Sequence, residues 1–210
     1  MKPASPQKVE TANMPWETTE FSGVQRKVLA SGDAYRASLI RLEPGASLPP
    51  TPGGWGVEIF VLSGSWNTPH GPQETGSYTR CSSAQAELLV TETPCTLFVR
   101  SGPHVMKEEP VFHIQSSEED WLPGQGNLRV KPLHSVASQG TALVFWPAGE
   151  RFLKHKHWGG EEILVLSGAF EDENGRYPEG TWLLSPHLSE HHPFVHEETV
   201  ILVKTGHLPA

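Results

Sequence analysis

Three histidines and a glutamate stand where a strand, a tight turn and a returning strand could gather them. The run is Gly149-Glu150-Arg151-Phe152-Leu153-Lys154-His155-Lys156-His157-Trp158-Gly159-Gly160-Glu161. Side chains alternate faces along a strand, so His155 and His157 point the same way. Gly159-Gly160 permits a sharp turn. Glu161 then returns on the next strand, facing the two histidines. Downstream, Gly180-Thr181-Trp182-Leu183-Leu184-Ser185-Pro186 leads to His191, and a strand followed by a proline turn could bring this fourth group to the same place. Three imidazoles and one carboxylate suit Zn²⁺, Fe²⁺, Mn²⁺, Co²⁺, Ni²⁺ or Cu²⁺, with room left at the ion for water or substrate.

The elements that must position these residues are legible because the chain repeats itself. Shifted by 104 residues, Glu58-Ile59-Phe60-Val61-Leu62-Ser63-Gly64 overlays Glu162-Ile163-Leu164-Val165-Leu166-Ser167-Gly168, differing only at Phe60/Leu164. Gly45, Gly71, Gly76 and Gly102 fall on Gly149, Gly175, Gly180 and Gly206. Glycines mark turns, and equal turn spacing means the same strand order twice. The repeats run over 16–102 and 121–206. The segment between them, Pro103 to Asp120, reads as a connector with one strand around Val111–Ile114 and a solvated acidic run at Ser116–Asp120.

Ala142–Trp146, Ile163–Leu166 and Val200–Val203 are short, apolar and β-branched or aromatic, as strands are. Asp172-Glu173-Asn174-Gly175 predicts a hairpin with a type I′ turn, and His70-Gly71 holds the same place in repeat 1. No window shows a 3.6-residue apolar period, so helix content should be low. Short strands with regular turns predict an all-β barrel or double-sheet jelly roll.

Composition narrows the function classes. A net charge of -8 repels phosphate backbones, which argues against nucleic acid as a partner. Polybasic membrane binding fails for the same reason. No apolar run approaches the length of a transmembrane helix, and Met1–Thr19 lacks the pattern of a signal peptide, so the expected location is the cytoplasm. Cys81 and Cys95 have no CxxC spacing and read as two reduced thiols.

These residues resemble the cupin superfamily. Its first motif, G-x5-H-x-H-x3-E-x6-G, is matched from Gly149 through Gly168. Its second is matched at Gly180, Pro186 and His191, with Leu188 and Val195 in place of the motif Gly and Asn. The run His155–Glu162, then Val165–Gly168, then Phe170–Gly180, is more specifically similar to the cupin domain of ChrR-type anti-sigma factors. The openings Trp16…Gly23-Val24 and Trp121-Leu122-Pro123-Gly124 fit that subfamily too.

The resemblance implies two tandem cupin barrels, 1–106 without metal ligands and 107–210 with them. The second would hold one divalent transition metal, among them Zn, Fe, Mn or Ni, on His155, His157, Glu161 and His191. The motif spacing selects Glu161 rather than Glu162. The repeat agrees, because Glu58 matches Glu162 in a barrel that has Thr51, Gly53, Val57 and Glu87 at the four ligand positions. Glu162 then points away from the site, and repeat 1 is a structural barrel.

ChrR-type proteins hold a sigma factor through an N-terminal helical zinc domain. The residues before repeat 1 contain neither His nor Cys, so a sigma-factor partner is not implied. The expected function is a metal-dependent, dioxygenase-like oxidoreductase acting on a small organic molecule, with a non-catalytic, zinc-loaded sensor of stress or of a small ligand as the alternative. Edge strands could pair subunits into a homodimer. Of the aromatics, Trp158 is the strongest candidate for a substrate contact. Arg151 and Lys154 are expected at the surface, as are His134, His187, His192 and His196.

Overall fold

A computed structural model describes residues 6–33, 35–51, 54–68, 71–86, 90–102, 111–117 and 119–209. His70, Gly53, Glu87 and His104 lie outside the described residues. The secondary structure is almost wholly strand, as the missing helical period requires. The helical elements among the described residues are a single 3₁₀ turn at Thr11–Asn13 and one α-helical turn at Ser83–Ala86.

The chain forms two compact units, Met1–Met14 with Asp120–Ala210, and Pro15–Glu119. Each is built on a seven-stranded antiparallel sheet. In the second repeat the strand order is Gln7–Glu10, Thr181–Ser185, Glu161–Ser167, Thr199–Thr205, Gln139–Trp146, Arg129–Val136, Leu122–Pro123. In the first it is Phe112–Gln115, Ser77–Cys81, Val57–Ser63, Cys95–Ser101, Arg36–Leu42, Val24–Ser31, Glu17–Thr18. Strand for strand these are the same sheet, as equal glycine spacing demanded. Even the irregularities repeat. Register shifts fall between Val28 and Ala30 and between Pro132 and His134, and again between Val61 and Ser63 and between Val165 and Ser167. Such bulges bend a sheet and strengthen its twist, which helps it curl into a barrel.

One edge strand of each sheet comes from outside the repeat that supplies the rest, from ahead of the first repeat in one case and from the connector in the other. Gln7–Glu10 pairs with Thr181–Leu184, and Phe112–Gln115 pairs with Ser77–Arg80. Met1–Met14 thus falls in one compact unit with Asp120–Ala210. An open sheet edge presents unpaired N–H and C=O groups, and these short strands cover it.

One turn differs from its sequence-based expectation. The hairpin is present, with Ala169–Asp172 paired to Gly175–Pro178. A type I′ turn needs φ > 0 at both central residues. Among the described residues only Ala137 and Leu188 are non-glycines with positive φ, so Glu173 and Asn174 do not form one. Instead the Asn174 N–H donates to Asp172 Oδ1 at 2.7 Å. This is an Asx-type turn, in which the aspartate side chain organises the loop.

The second barrel's core gathers Trp146, Ile163, Val165, Phe170, Leu183 and Ile201, with burial of each aliphatic side chain stabilising by about 1.5–3 kcal/mol. In the first barrel Glu58 is 1 % exposed and joins two buried guanidiniums, Arg80 at 2.7 Å and Arg100 at 3.1 Å. Its counterpart Glu162 does point away from the histidines, but into the protein rather than solvent. It is 0 % exposed and accepts the Trp182 Nε1–H at 2.6 Å. Both cysteines are free and buried. Burial pushes the Cys81 thiol up to about 12, which leaves it protonated and unreactive at neutral pH.

Candidate metal centre

The site is built on a two-residue ladder. His155–Lys156 pairs with Glu190–His191, placing His155 directly opposite His191. Lys154 and Lys156 both reach the Glu190 carboxylate at 2.8 Å, clasping the ladder from the solvent side. The chain then turns through Gly159 and Gly160, both at φ +71°. A Cβ on Gly159 would meet the Gly206 backbone at 2.7 Å, and one on Gly160 would meet the Ser185 carbonyl at 2.8 Å. The Gly159 N–H donates to His187 Nδ1 at 2.9 Å, fixing the turn that delivers Glu161. That residue opens the strand Glu161–Ser167 and is paired across to Ser185.

His155, His157, Glu161 and His191 thus converge, one donor atom from each lying within 4.8 Å of all the others. The imidazole rings form a triangle, with centroids 4.5 Å apart for His155–His157 and 4.8 Å for each with His191. Glu161 Oε2 stands 3.4 Å from His157 Nε2 and 3.5 Å from His191 Nε2. All three atoms are buried and have no hydrogen-bond partner. Buried polar atoms are rarely left this way. Two atoms each about 2.1 Å from a common ion at tetrahedral angles stand about 3.4 Å apart. The arrangement fits a metal better than it fits any hydrogen bond.

The second ring nitrogens are held as metal ligands require. His155 Nδ1–H donates to the Leu153 carbonyl at 2.9 Å, which turns Nε2 toward the cluster. His191 Nδ1 faces Asp172 Oδ2 at 3.5 Å. Asp172 is itself fixed through its other oxygen by the Tyr177 hydroxyl at 2.8 Å and by the Asn174 N–H. In the sequence Asp172 is marked only as a turn residue. One signal could have found it: the site-free repeat has Thr68 at the matching position.

The electrostatics follow from burial. Desolvation, with the neighbouring imidazoles His191 and His155, drives His157 down to about 3, so it is neutral and able to ligate. Desolvation raises Glu161 to about 7, against the pull of His191. Burial opposes the charged form of His191, but Asp172 and Glu161 outweigh it and raise the group above its ordinary value. Burial also disfavours a charged Asp172. The hydrogen bonds from His191, Asn174 and Tyr177 nonetheless hold it below the usual carboxylate range. Asp172→Asn should therefore weaken metal affinity about 10- to 100-fold while leaving the fold intact, measured by competition against a chromogenic chelator.

A cavity of about 240 Å³ opens beside the cluster, lined by Glu161, His191, Ile163, Asp172, Tyr177 and Leu183, among others. Trp158 does not enter it. That ring is 72 % exposed and packs edge-on to His187 at 5.3 Å. Phe152 and Phe170 instead wall the cluster, with centroids 4.8 Å from His155 and 6.0 Å from His191. Trp182 lies on the opposite side of the sheet with Glu162. Arg151 covers the Phe194 ring, Lys154 pairs with Glu190, and His192 and His196 are exposed.

The model of the ChrR Cupin-like domain matches the sequence twice, over residues 4–105 and 109–209. The chain belongs to the ChrR Cupin-like domain family. The first match includes Gln7–Glu10 and the second includes Phe112–Gln115. Among curated proteins, none matches this chain.

Solved structures place this family member in the wider cupin fold. A candidate dioxygenase from Nostoc punctiforme aligns at TM-score 0.77 and 14 % identity, over 95 % of this chain and 81 % of that one. A candidate glyoxylate-induced protein from Pseudomonas aeruginosa aligns at 0.78 and 12 %, over 98 % and 90 %. A variant of oxalate decarboxylase from Bacillus subtilis aligns at 0.67 and 13 %, over 97 % and 78 %. At these identities the likeness is one of fold, and it makes this chain two tandem cupin barrels. Among the described residues no helix is long and apolar enough to cross a membrane.

Proposed function

We propose that the second barrel binds one divalent transition metal through His155, His157, Glu161 and His191, and that the protein is a dioxygenase-like oxidoreductase acting on a small organic molecule. The observation that carries the first part is the set of three buried, unpartnered donor atoms, on His157, Glu161 and His191, around one point. A metal held there would supply Lewis-acid or redox chemistry to a small substrate. The protein's own part is to hold three imidazoles and one carboxyl group in place, with Asp172 and the Leu153 carbonyl fixing two of the rings. Phe152 and Phe170 keep water from the ring faces. The adjoining cavity, about 240 Å³, is smaller than common drug-sized pockets of about 300–1,000 Å³, which favours a substrate of few heavy atoms.

Membership of the ChrR Cupin-like family favours a second reading, a zinc-loaded ligand sensor. Purification without added metal, followed by iron loading, separates the two. Oxygen consumption with a panel of small carbonyl and phenolic compounds supports the oxidoreductase. Tightly held zinc, no uptake after iron loading and ligand-dependent gains in melting temperature support the sensor and overturn the oxidoreductase.

A further inference from the structure

The first barrel has no metal cluster among its described residues, yet it carries a cavity of about 690 Å³. We propose that this cavity is a second binding site, taking a small organic carboxylate with an apolar body, and that Arg36 holds the carboxylate. The proposal assigns a ligand function to a barrel whose sequence reads as a scaffold.

Four of the lining positions that differ from their counterparts in the second repeat carry the change. Thr51 stands where the second repeat has His155, and Val57 where it has Glu161. Arg36 stands where it has Gly140, and Ser38 where it has Ala142. The first barrel has thus traded metal-ligand positions for small side chains, and added a guanidinium where its counterpart has no side chain at all. A fixed organic cation takes the place of a metal cation.

The geometry supports that reading. Arg36 lies directly across from Ser101 on the neighbouring strand, and Ser101 lies across from Val57 on the next. These three side chains make one row along the cavity floor. Arg36 Nε is buried and has no hydrogen-bond partner. No carboxylate pairs with this guanidinium among the described residues, and its carbon sits 5.7 Å from the Trp55 ring centroid. A buried donor of this kind calls for an acceptor, and a guanidinium takes a carboxylate in a bidentate fork. The remaining walls include Val24, Ile40, Leu48, Val57 and Val99, which suit a hydrocarbon body. Two exposed residues of opposite charge, Glu20 and Arg26, stand at the rim and largely offset each other. With Arg36 the one charge left unmatched in the lining, a monocarboxylate fits better than a phosphate dianion.

The test is calorimetric titration of the full chain with 2-naphthoate and with its neutral analogue 2-naphthamide. The proposal expects saturable 2-naphthoate binding, at least about 10-fold tighter than the amide. Arg36→Met should weaken naphthoate binding by at least about 10-fold, with metal content unchanged. Arg36→Lys, which keeps the charge and loses the fork, should fall between the two, and it carries the test should the methionine variant not fold. Equal affinity for acid and amide, no naphthoate binding at about 1 mM, or full affinity in the Arg36 variants would overturn it. Because the readout is ligand affinity in a barrel remote in sequence from the histidine cluster, failure here leaves the metal proposal standing.

Discussion

Replacing His155 and His157 together by alanine is expected to take the protein from about one bound metal to none detectable while both barrels stay folded. The two rings supply half of the converging donors, and what remains, Glu161 and His191, is too few to close a tetrahedral site. Burial already pushes Glu161 up to about 7. With the metal gone, that carboxyl can accept a proton rather than remain an unpaired buried charge. The fold should survive because the first barrel has Thr51 and Val57 at ligand positions and forms the same seven-stranded sheet. Metal analysis by mass spectrometry and a thermal melt on the same sample check both halves. A variant still holding one equivalent would show that the ligands lie elsewhere.

The largest stability effect is expected far from that cluster in sequence. Glu58→Leu removes the carboxylate that joins Arg80 and Arg100, which are 1 % and 2 % exposed at their side chains. Two guanidiniums would then share a buried space without their common counter-charge. Breaking a buried ion pair from one side costs about 3–5 kcal/mol, against a total stability of about 5–15 kcal/mol for a typical domain. Urea unfolding should show the midpoint falling with little change in slope. Metal content should be untouched, since the donors belong to the other compact unit. A midpoint within error of the parent chain would mean that the triad is no more than a surface-strength contact.

Much of this structure could be read from the chain before any coordinates, and the reasons are local. Ile163–Leu166 and Val200–Val203 announce strands because β-branched runs between glycines have few other uses. The convergence of His155, His157, Glu161 and His191 was legible because two-residue alternation, a Gly-Gly turn and a returning strand leave little geometric freedom. What stayed hidden depended on distant pairing. Gln7-Lys8-Val9-Glu10 has no apolar alternation to mark it as a strand. It becomes one only because the edge of Thr181–Ser185 is open. Asp172 looks like a turn residue and is one, but its second oxygen reaches a histidine nineteen positions on. Asn174-Gly175 has the composition of a type I′ turn, yet the aspartate side chain offers the loop a competing hydrogen bond. Glu162 alternates away from the site as expected. Its complete burial could not be foreseen, because that depends on Trp182 lying across the neighbouring strand.

The central claim is that one barrel of this cupin pair binds a metal and the other does not. The most direct test is the metal-to-protein ratio of the full chain purified without added metal and then dialysed against excess zinc or iron. The account predicts about one transition-metal ion per chain, unchanged by a larger excess. A ratio near zero after loading would contradict the histidine cluster as a metal site, and a ratio near two would contradict the loss of metal binding from the first barrel.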